Sequence, residues 1–117
     1  MAGGGLIANV DDLLTFGRAL RQPGLLNAVS LNAIWSRPIV QGVESPMSFG
    51  WFPRTNPTRI SISGSNAGTQ AGLTVWQKED LAVAVLANSW GRGSRSGELM
   101  DDGETGLIGR IAALLTK

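Results

Sequence analysis

Residues 59–88, RISISGSNAGTQAGLTVWQKEDLAVAVLAN, carry the pattern that decides the fold. Residues 59–63 alternate strictly between polar and apolar side chains, which is typical of a half-buried strand. A second run, 69–77, and a continuously apolar run, 81–88, predict two more strands, and the apolar run suits a strand buried on both faces. Because only the polar residues 78–80 separate these two runs, we expect them to form an antiparallel hairpin.

Helix signals lie on both sides of these strands. Residues 9–21 carry apolar side chains at helical spacing, with Asn9 placed to cap the first turn. Ser30 is expected to cap a second, short helix over residues 31–37. Residues 104–115 predict a third helix with one apolar face.

Three smaller features complete the prediction of structure. Residues 47–52 alternate and predict a further strand that ends at Pro53. The acidic residues 101–104 are expected to form a solvated helix start. The four tryptophans, at 35, 51, 76 and 90, are expected in the core. The order of elements predicts an α+β fold, an antiparallel sheet of three to four strands with flanking helices, within residues 1–117.

The amino-acid composition excludes several classes of function. The chain has 117 residues, no Cys, no His and no Tyr, and its net charge is +1. Disulfides, thiolate catalysis and the commonest general base are therefore excluded, and we predict neither a metal site nor a cofactor. The charges form no basic block, so nucleic-acid binding is not expected. No apolar run is long enough for a membrane span and no signal peptide is recognised, so we expect a soluble chain.

Five phrases, in order along the chain, resemble class C β-lactamase-like serine hydrolases. That family includes β-lactamases, D-alanyl-D-alanine carboxypeptidases and related esterases, and its complete members are often periplasmic or secreted. The resemblance implies that this chain is the C-terminal portion of a β-lactamase or transpeptidase-like fold, with its first and last helices on one face of the sheet. The phrases lie at residues 4–16, 49–51, 62–68, 81–88 and in the final helix.

The third phrase is similar to the family's third active-site motif, in which His or Lys is followed by Ser or Thr and then Gly. The resemblance implies a degenerate substrate-binding edge that binds a small molecule weakly. It also implies that the backbone N–H of the residue after the glycine forms half of an oxyanion hole. An ordinary strand end followed by a turn explains the same residues equally well. The residues concerned are Ile62, Ser63, Gly64, Ser65 and Asn66.

The departures from the family's motifs are as informative as the similarities. Its nucleophile lies in a Ser-x-x-Lys motif, and neither Lys78 nor Lys117 has a serine three residues earlier. The Tyr or Ser motif with its following Asn is absent, and Ile62 occupies the cationic position of the third motif. We therefore predict no catalytic residue in this chain and no activity for the chain alone.

Three hypotheses remain open. The chain is a segment of a serine hydrolase that cleaves an amide or ester through an acyl-enzyme. Alternatively, it is a non-catalytic binding or assembly module that oligomerises through an exposed apolar face. An unrelated small α+β domain is the third. The expected partner is a second copy in a homodimer or a complementary N-terminal hydrolase segment.

Overall fold

The computed structural model describes residues 4–66, 68–88 and 100–117 of the chain. These residues contain three helices and six strands, which confirms the predicted α+β class. The helices are α1 (Val10–Ala19), α2 (Ala28–Trp35) and α3 (Leu107–Leu115). The strands are β1 (Ile39–Val40), β2 (Val43–Glu44), β3 (Phe52–Arg54), β4 (Arg59–Asn66), β5 (Thr69–Trp76) and β6 (Leu81–Ala87).

The main sheet has four antiparallel strands in the order β3-β4-β5-β6. The three strands predicted from residues 59–88 are all present, and β5 and β6 form the predicted antiparallel hairpin. Strands β1 and β2 form a separate two-stranded hairpin. Its turn is Gln41-Gly42, and both residues have positive φ, as the tight turns of two-residue hairpins require.

The pairing register assigns apolar side chains to two faces of the main sheet. Ile60 lies opposite Val75 and Ile62 lies opposite Leu73, so these four side chains share one face. This face, called here the α1 face, carries the larger core cluster. The other buried members of that cluster are Leu20, Leu31, Ile34 and Trp51.

Helix α1 lies very close to this face. Asn9 caps it as predicted, because its side-chain oxygen accepts a hydrogen bond of 2.9 Å from the Asp12 N–H. Gly17 is the buried residue of the helix, and a methyl group placed there would lie 3.2 Å from the side chains of both Leu73 and Val75. The absence of a side chain at Gly17 therefore allows the helix backbone to approach the sheet.

The opposite face of the sheet, called the α3 face, is covered by the last helix. Trp76 and Val83 pack there against Ile108 and Ala112 of α3. The prediction that the first and last helices share one face was therefore wrong, since α1 and α3 lie on opposite sides. A helix packs on each face of β6, as its continuous apolar run suggested. Only Val83 of this strand is buried, because β6 lies at the edge of the sheet.

Two local predictions were wrong for identifiable reasons. Helix α2 begins three residues earlier than expected, because the side chain of Asn27, and not Ser30, caps it. Residues 47–52 do not form a strand. Phe49 and Gly50 have positive φ and make a turn between the bridged residues Ser48 and Trp51, so that β3 starts only at Phe52.

The tryptophan prediction agrees with the structure for the described residues. Trp51 and Trp76 are buried, and Trp35 packs against the larger core cluster. The indole N–H of Trp35 donates to the Leu20 carbonyl at 3.0 Å, which satisfies the polar end of the ring. Trp90 lies outside the described residues.

The acidic segment before the last helix was also predicted wrongly. Helix α3 starts at Leu107, and Asp102 does not belong to a solvated helix start. Its side chain is 7% exposed and accepts a hydrogen bond of 2.7 Å from Arg59 Nε, with Arg54 Nε at 3.7 Å. The carboxylate therefore ties the segment that leads into α3 to the start of β4.

Removing this carboxylate should weaken the fold. We expect Asp102→Ala to lower the free energy of unfolding by about 3 kcal/mol, because Arg59 is left largely buried without its counter-charge. The exposed pair of Arg37 with Glu44 provides a matched control, and Glu44→Ala should change stability by less than about 1 kcal/mol. Urea unfolding measures both values. Equal effects of the two substitutions would contradict this assignment.

Candidate functional site

The residues of the third motif form the second half of β4. Register pairs Gly64 with Ala71 and Ser65 with Gln70 on one side of the strand. On the other side, the pairing with β3 ends at Ser61. Among the described residues, no strand pairs with residues 62–66 on that side, so this half of β4 is an open sheet edge.

The phase of the backbone hydrogen bonds decides which groups face the open edge. The Gln77 N–H donates to the Thr58 carbonyl at 3.1 Å, and these residues continue the β4–β5 register by one position. In an antiparallel pair, every second residue directs its N–H and C=O toward the partner strand. Residues 60, 62, 64 and 66 therefore face β5. Pro53, which has no N–H to donate, lies opposite Ile60 and agrees with this phase.

It follows that Ser63 and Ser65 direct their backbone N–H and C=O groups toward the open edge. The Ser65 N–H is the group to which the resemblance assigns half of an oxyanion hole. Both residues are exposed. The Ser65 N–H is thus directed where a ligand at the edge of β4 can reach it.

The structure brings only part of the predicted site together. Gly64, Ser65 and Asn66 line one groove, whereas Ile62 and Ser63 do not. Ile62 lies on the α1 face, half-buried, and packs against the larger core cluster. At the position where the family carries a cation, this chain therefore places an apolar side chain against the core.

The groove has a volume of about 930 Å³ and lies where the segment before α1 passes the ends of β4, β5 and β6. A methyl group built on Gly4 would lie 3.7 Å from the side-chain nitrogen of Asn66, so the segment runs alongside the end of β4. The walls of the groove are apolar and exposed: Leu6 is 94% exposed, Ile7 is fully exposed and Leu86 is 43% exposed. Leu6 and Ile7 lie in the first phrase of the family resemblance, and Leu86 lies in a predicted strand. The sequence analysis did not predict that these residues line one groove.

None of the described residues that line the groove is ionisable. The nearest carboxylates along the chain are those of Asp11 and Asp12 in the first turn of α1. Asp12 accepts a hydrogen bond of 3.2 Å from the Asn9 N–H, so it is already part of the capping box. The described part of the groove lining therefore carries no charged side chain.

Gln70 is a second polar group in the lining. The residue is only 4% exposed, and its side-chain oxygen has no hydrogen-bond partner among the described residues. A buried acceptor without a donor is unfavourable by about 1–3 kcal/mol. Gln70 lies on the same side of β5 as Thr74 and Trp76, which is the α3 face, whereas Ala71 and Leu86 lie on the α1 face. Its side-chain oxygen is therefore directed away from the apolar walls of the groove.

A second cavity, of about 630 Å³, lies at the opposite end of the sheet, beside Arg59 and Asp102. None of the predicted site residues lines it. In the parts of the chain that the structure describes, no three acidic side chains gather in a way that could hold a metal ion. Over the same residues, no helix is long and apolar enough to cross a membrane.

Comparisons of the chain with protein-family models, with curated proteins and with solved structures give no match. The assignment of the site therefore depends on the residues and their geometry.

The open edge can be tested with a pair of proline substitutions. Ser65→Pro removes an N–H that faces the edge, so it should lower the free energy of unfolding by less than about 1 kcal/mol. Gly64→Pro removes an N–H that faces β5 and should cost about 2–3 kcal/mol. Chemical denaturation of both variants gives the comparison. A larger cost at position 65 than at position 64 would show that the deduced phase is wrong.

Proposed function

We propose that this chain is the sheet-bearing, C-terminal segment of a β-lactamase-related serine hydrolase. In this proposal it contributes the third-motif edge and the Ser65 N–H, and another segment carries the nucleophile. The observation that carries the proposal is the direction of the Ser65 N–H, which the backbone phase turns toward the open edge of β4. The antiparallel sheet and the exposed groove beside that edge support it further.

The chemistry that this edge can assist is acyl transfer. When a serine oxygen attacks an ester or amide carbonyl, a C–O bond forms and the carbonyl electron pair moves onto the oxygen. The resulting oxyanion is stabilised by hydrogen bonds from backbone N–H groups, each worth several kcal/mol in a well-arranged site. The bond between the carbonyl carbon and the alcohol oxygen or amine nitrogen then breaks, and the leaving group takes the proton that the serine gave to its base. Water later hydrolyses the acyl-enzyme. Ser65 supplies one N–H donor and takes no part in the proton transfers.

The nucleophile has to come from residues other than these 117. An activated serine needs a neighbouring base, and the chain has no His and no Ser-x-x-Lys motif. A β-lactam substrate is suggested by the resemblance alone, and an ester fits the same residues. The described chain supplies the stabilising edge without the reacting group.

Covalent labelling tests this division of roles. The isolated chain should form no adduct with nitrocefin or a fluorophosphonate in intact-mass measurements, because no serine has a base beside it. The genomic sequence upstream of Met1 should encode Ser-x-x-Lys, and the longer product should be acylated at that serine. An adduct at one defined serine of the isolated chain, or an upstream frame without the motif, contradicts the proposal.

In the longer product, a different pair of proline substitutions, at positions 65 and 63, separates an oxyanion role of Ser65 from a merely structural one. Ser65→Pro should slow acylation by about 10²–10³-fold, the usual effect of losing one oxyanion donor. Ser63→Pro is the matched control, since its N–H also faces the edge but belongs to a residue outside the groove. Equal slowing by both variants would remove the special role of Ser65.

A second candidate function is that of a non-catalytic assembly module. The observation in its favour is the apolar surface, since large apolar side chains are exposed in several elements. A contiguous apolar surface commonly marks an interface, and Leu6, Ile7 and Leu86 share one groove. Those at least 65% exposed are Leu6, Ile7, Val29, Ile39, Val43, Phe49, Leu114 and Leu115.

Self-association distinguishes this candidate. If a second copy covers the groove wall, size-exclusion chromatography with light scattering should show a dimer at micromolar concentration. Ile7→Ser combined with Leu86→Ser should then weaken the dimer by about 10-fold or more, since each loses apolar burial. Val29→Ser, on the exposed side of α2, is the control and should leave it unchanged. A monomer at these concentrations counts against the assembly module.

A further inference from the structure

The two outer edges of the main sheet are built differently. The edge at β3 has only three residues, and its central residue, Pro53, has no N–H to offer to a further strand. The edge at β6 has seven residues, Leu81–Ala87, with no proline and no charged side chain. Its register with β5 is continuous, so no bulge interrupts the strand. Natural sheets protect exposed edges with short strands, prolines, charges or bulges, and β6 has none of these features.

The backbone phase of the sheet also determines which groups of β6 face outward. The phase between β4 and β5 directs the odd-numbered residues of β5 toward β4, so its even-numbered residues face β6. Because Thr74 lies opposite Val83, the odd-numbered residues of β6 face β5. Ala82, Ala84 and Leu86 therefore direct their N–H and C=O groups away from the sheet. None of the strands in the described part of the chain pairs with them.

We propose that the outer edge of β6 pairs with the same edge of a second copy of this chain, which joins the two four-stranded sheets into one. A two-fold axis through Ala84 places Ala82 opposite Leu86 of the partner subunit and Val83 opposite Val85 of the partner subunit. A small side chain then meets a large one, and two β-branched side chains meet each other. About six backbone hydrogen bonds form between the copies. This pairing gives the assembly module a defined interface, and it does not depend on the hydrolase proposal.

Helix α1 follows the same two-fold arrangement. The segment before it passes Asn66, and the ion pair of Arg21 with Asp80 holds its C-terminal end at the turn between β5 and β6. Because β6 starts at that turn and ends beside the start of α1, the helix runs antiparallel to the strand. Pairing of two β6 strands therefore makes the two copies of α1 antiparallel, with the first turn of one beside the last turn of the other.

The flank of α1 beside the β6 edge carries opposite charges at its two ends. Gly17 faces the sheet, and Phe16, on one flank, contacts Trp51 near β3 with a ring-centroid distance of 6.3 Å. At about 100° per residue, Asp11 and Arg18 lie on the opposite flank, and both are exposed. In the antiparallel arrangement, the acidic first turn of one copy lies beside the basic last turn of the other. These charges favour a second copy as the partner of the edge.

Hydrogen exchange of the full chain tests the pairing residue by residue. Light scattering should show a dimer at high micromolar concentration and a monomer on dilution. In the dimer, the amides of Ala82 and Ala84 should exchange at least about tenfold more slowly than in the monomer. The amides of Val83 and Val85 face β5 and serve as internal controls that are protected in both states. Protection of Ala82 and Ala84 in the monomer would show that the chain itself covers the edge, and it would overturn the proposal, as would a dimer in which both exchange quickly.

Substitutions at the edge and on the α1 flank give a second arm. Ala84→Pro removes an outward N–H and should raise the dissociation constant of the dimer by about tenfold or more, with the monomer still folded by circular dichroism. Arg18→Glu should weaken the dimer by about tenfold, because acidic side chains then face each other. Asp11→Arg combined with Arg18→Glu should restore most of the affinity. A double substitution that restores none of it overturns the antiparallel placement of α1.

The outcomes separate this interface from the other proposals. If Ile7→Ser dissociates the dimer and Ala84→Pro does not, the groove wall is the interface, and edge pairing is overturned although the assembly module survives. A chain that stays monomeric at high micromolar concentration contradicts both. The hydrolase proposal is decided separately, by acylation of the longer product and by the upstream Ser-x-x-Lys motif.

Discussion

The register between β4 and β5 is the constraint on which the rest of the structure depends. The pairing of Ile60 with Val75, continued outward to the Gln77 N–H and the Thr58 carbonyl, fixes the side-chain faces and the backbone phase together. A slip of one residue would move Ile60 and Ile62 from the α1 core to the opposite face. It would also turn the Ser65 N–H inward, toward β5. Folding and the geometry of the candidate site therefore share one cause.

The two faces that this register creates are stabilised differently. On the α1 face, Gly17 lets α1 approach Leu73 and Val75 closely, so that backbone packs on side chains. The α3 face depends on side-chain packing around Ile108 and on the Asp102–Arg59 ion pair, which joins residues distant in sequence. The groove lies at the end of the sheet, next to the segment before α1, where neither arrangement covers Leu6 and Ile7.

Local patterns predicted what local interactions decide. The alternation in β4 and the cap at Asn9 were recognised because each works within a few residues. The same alternation over residues 47–52 was misleading, since it does not reveal that Phe49 and Gly50 turn the chain. The cap of α2 was predicted at Ser30, and the side chain of Asn27 takes that role instead, because both residue types can accept a hydrogen bond from the first turn.

Long-range contacts could not be predicted from the sequence. The pairing of Asp102 with Arg59 and the placement of α3 opposite α1 depend on how the chain folds back, and an evenly apolar β6 does not favour either face for a helix. The site residues Gly64, Ser65 and Asn66 were predicted through the family resemblance. The walls provided by Leu6 and Leu86 were not, because they meet only when the segment before α1 reaches the end of the sheet.

Ile62 links the fold to the chemistry of the groove. The alternation that makes β4 a strand also turns position 62 toward the α1 core, where an isoleucine is stabilised by packing and an ammonium group would lose water without a described carboxylate to pair with. An apolar residue at position 62 is therefore favoured by the packing of the sheet. The same side chain thus stabilises the core and leaves the exposed half of β4 without a cation at position 62.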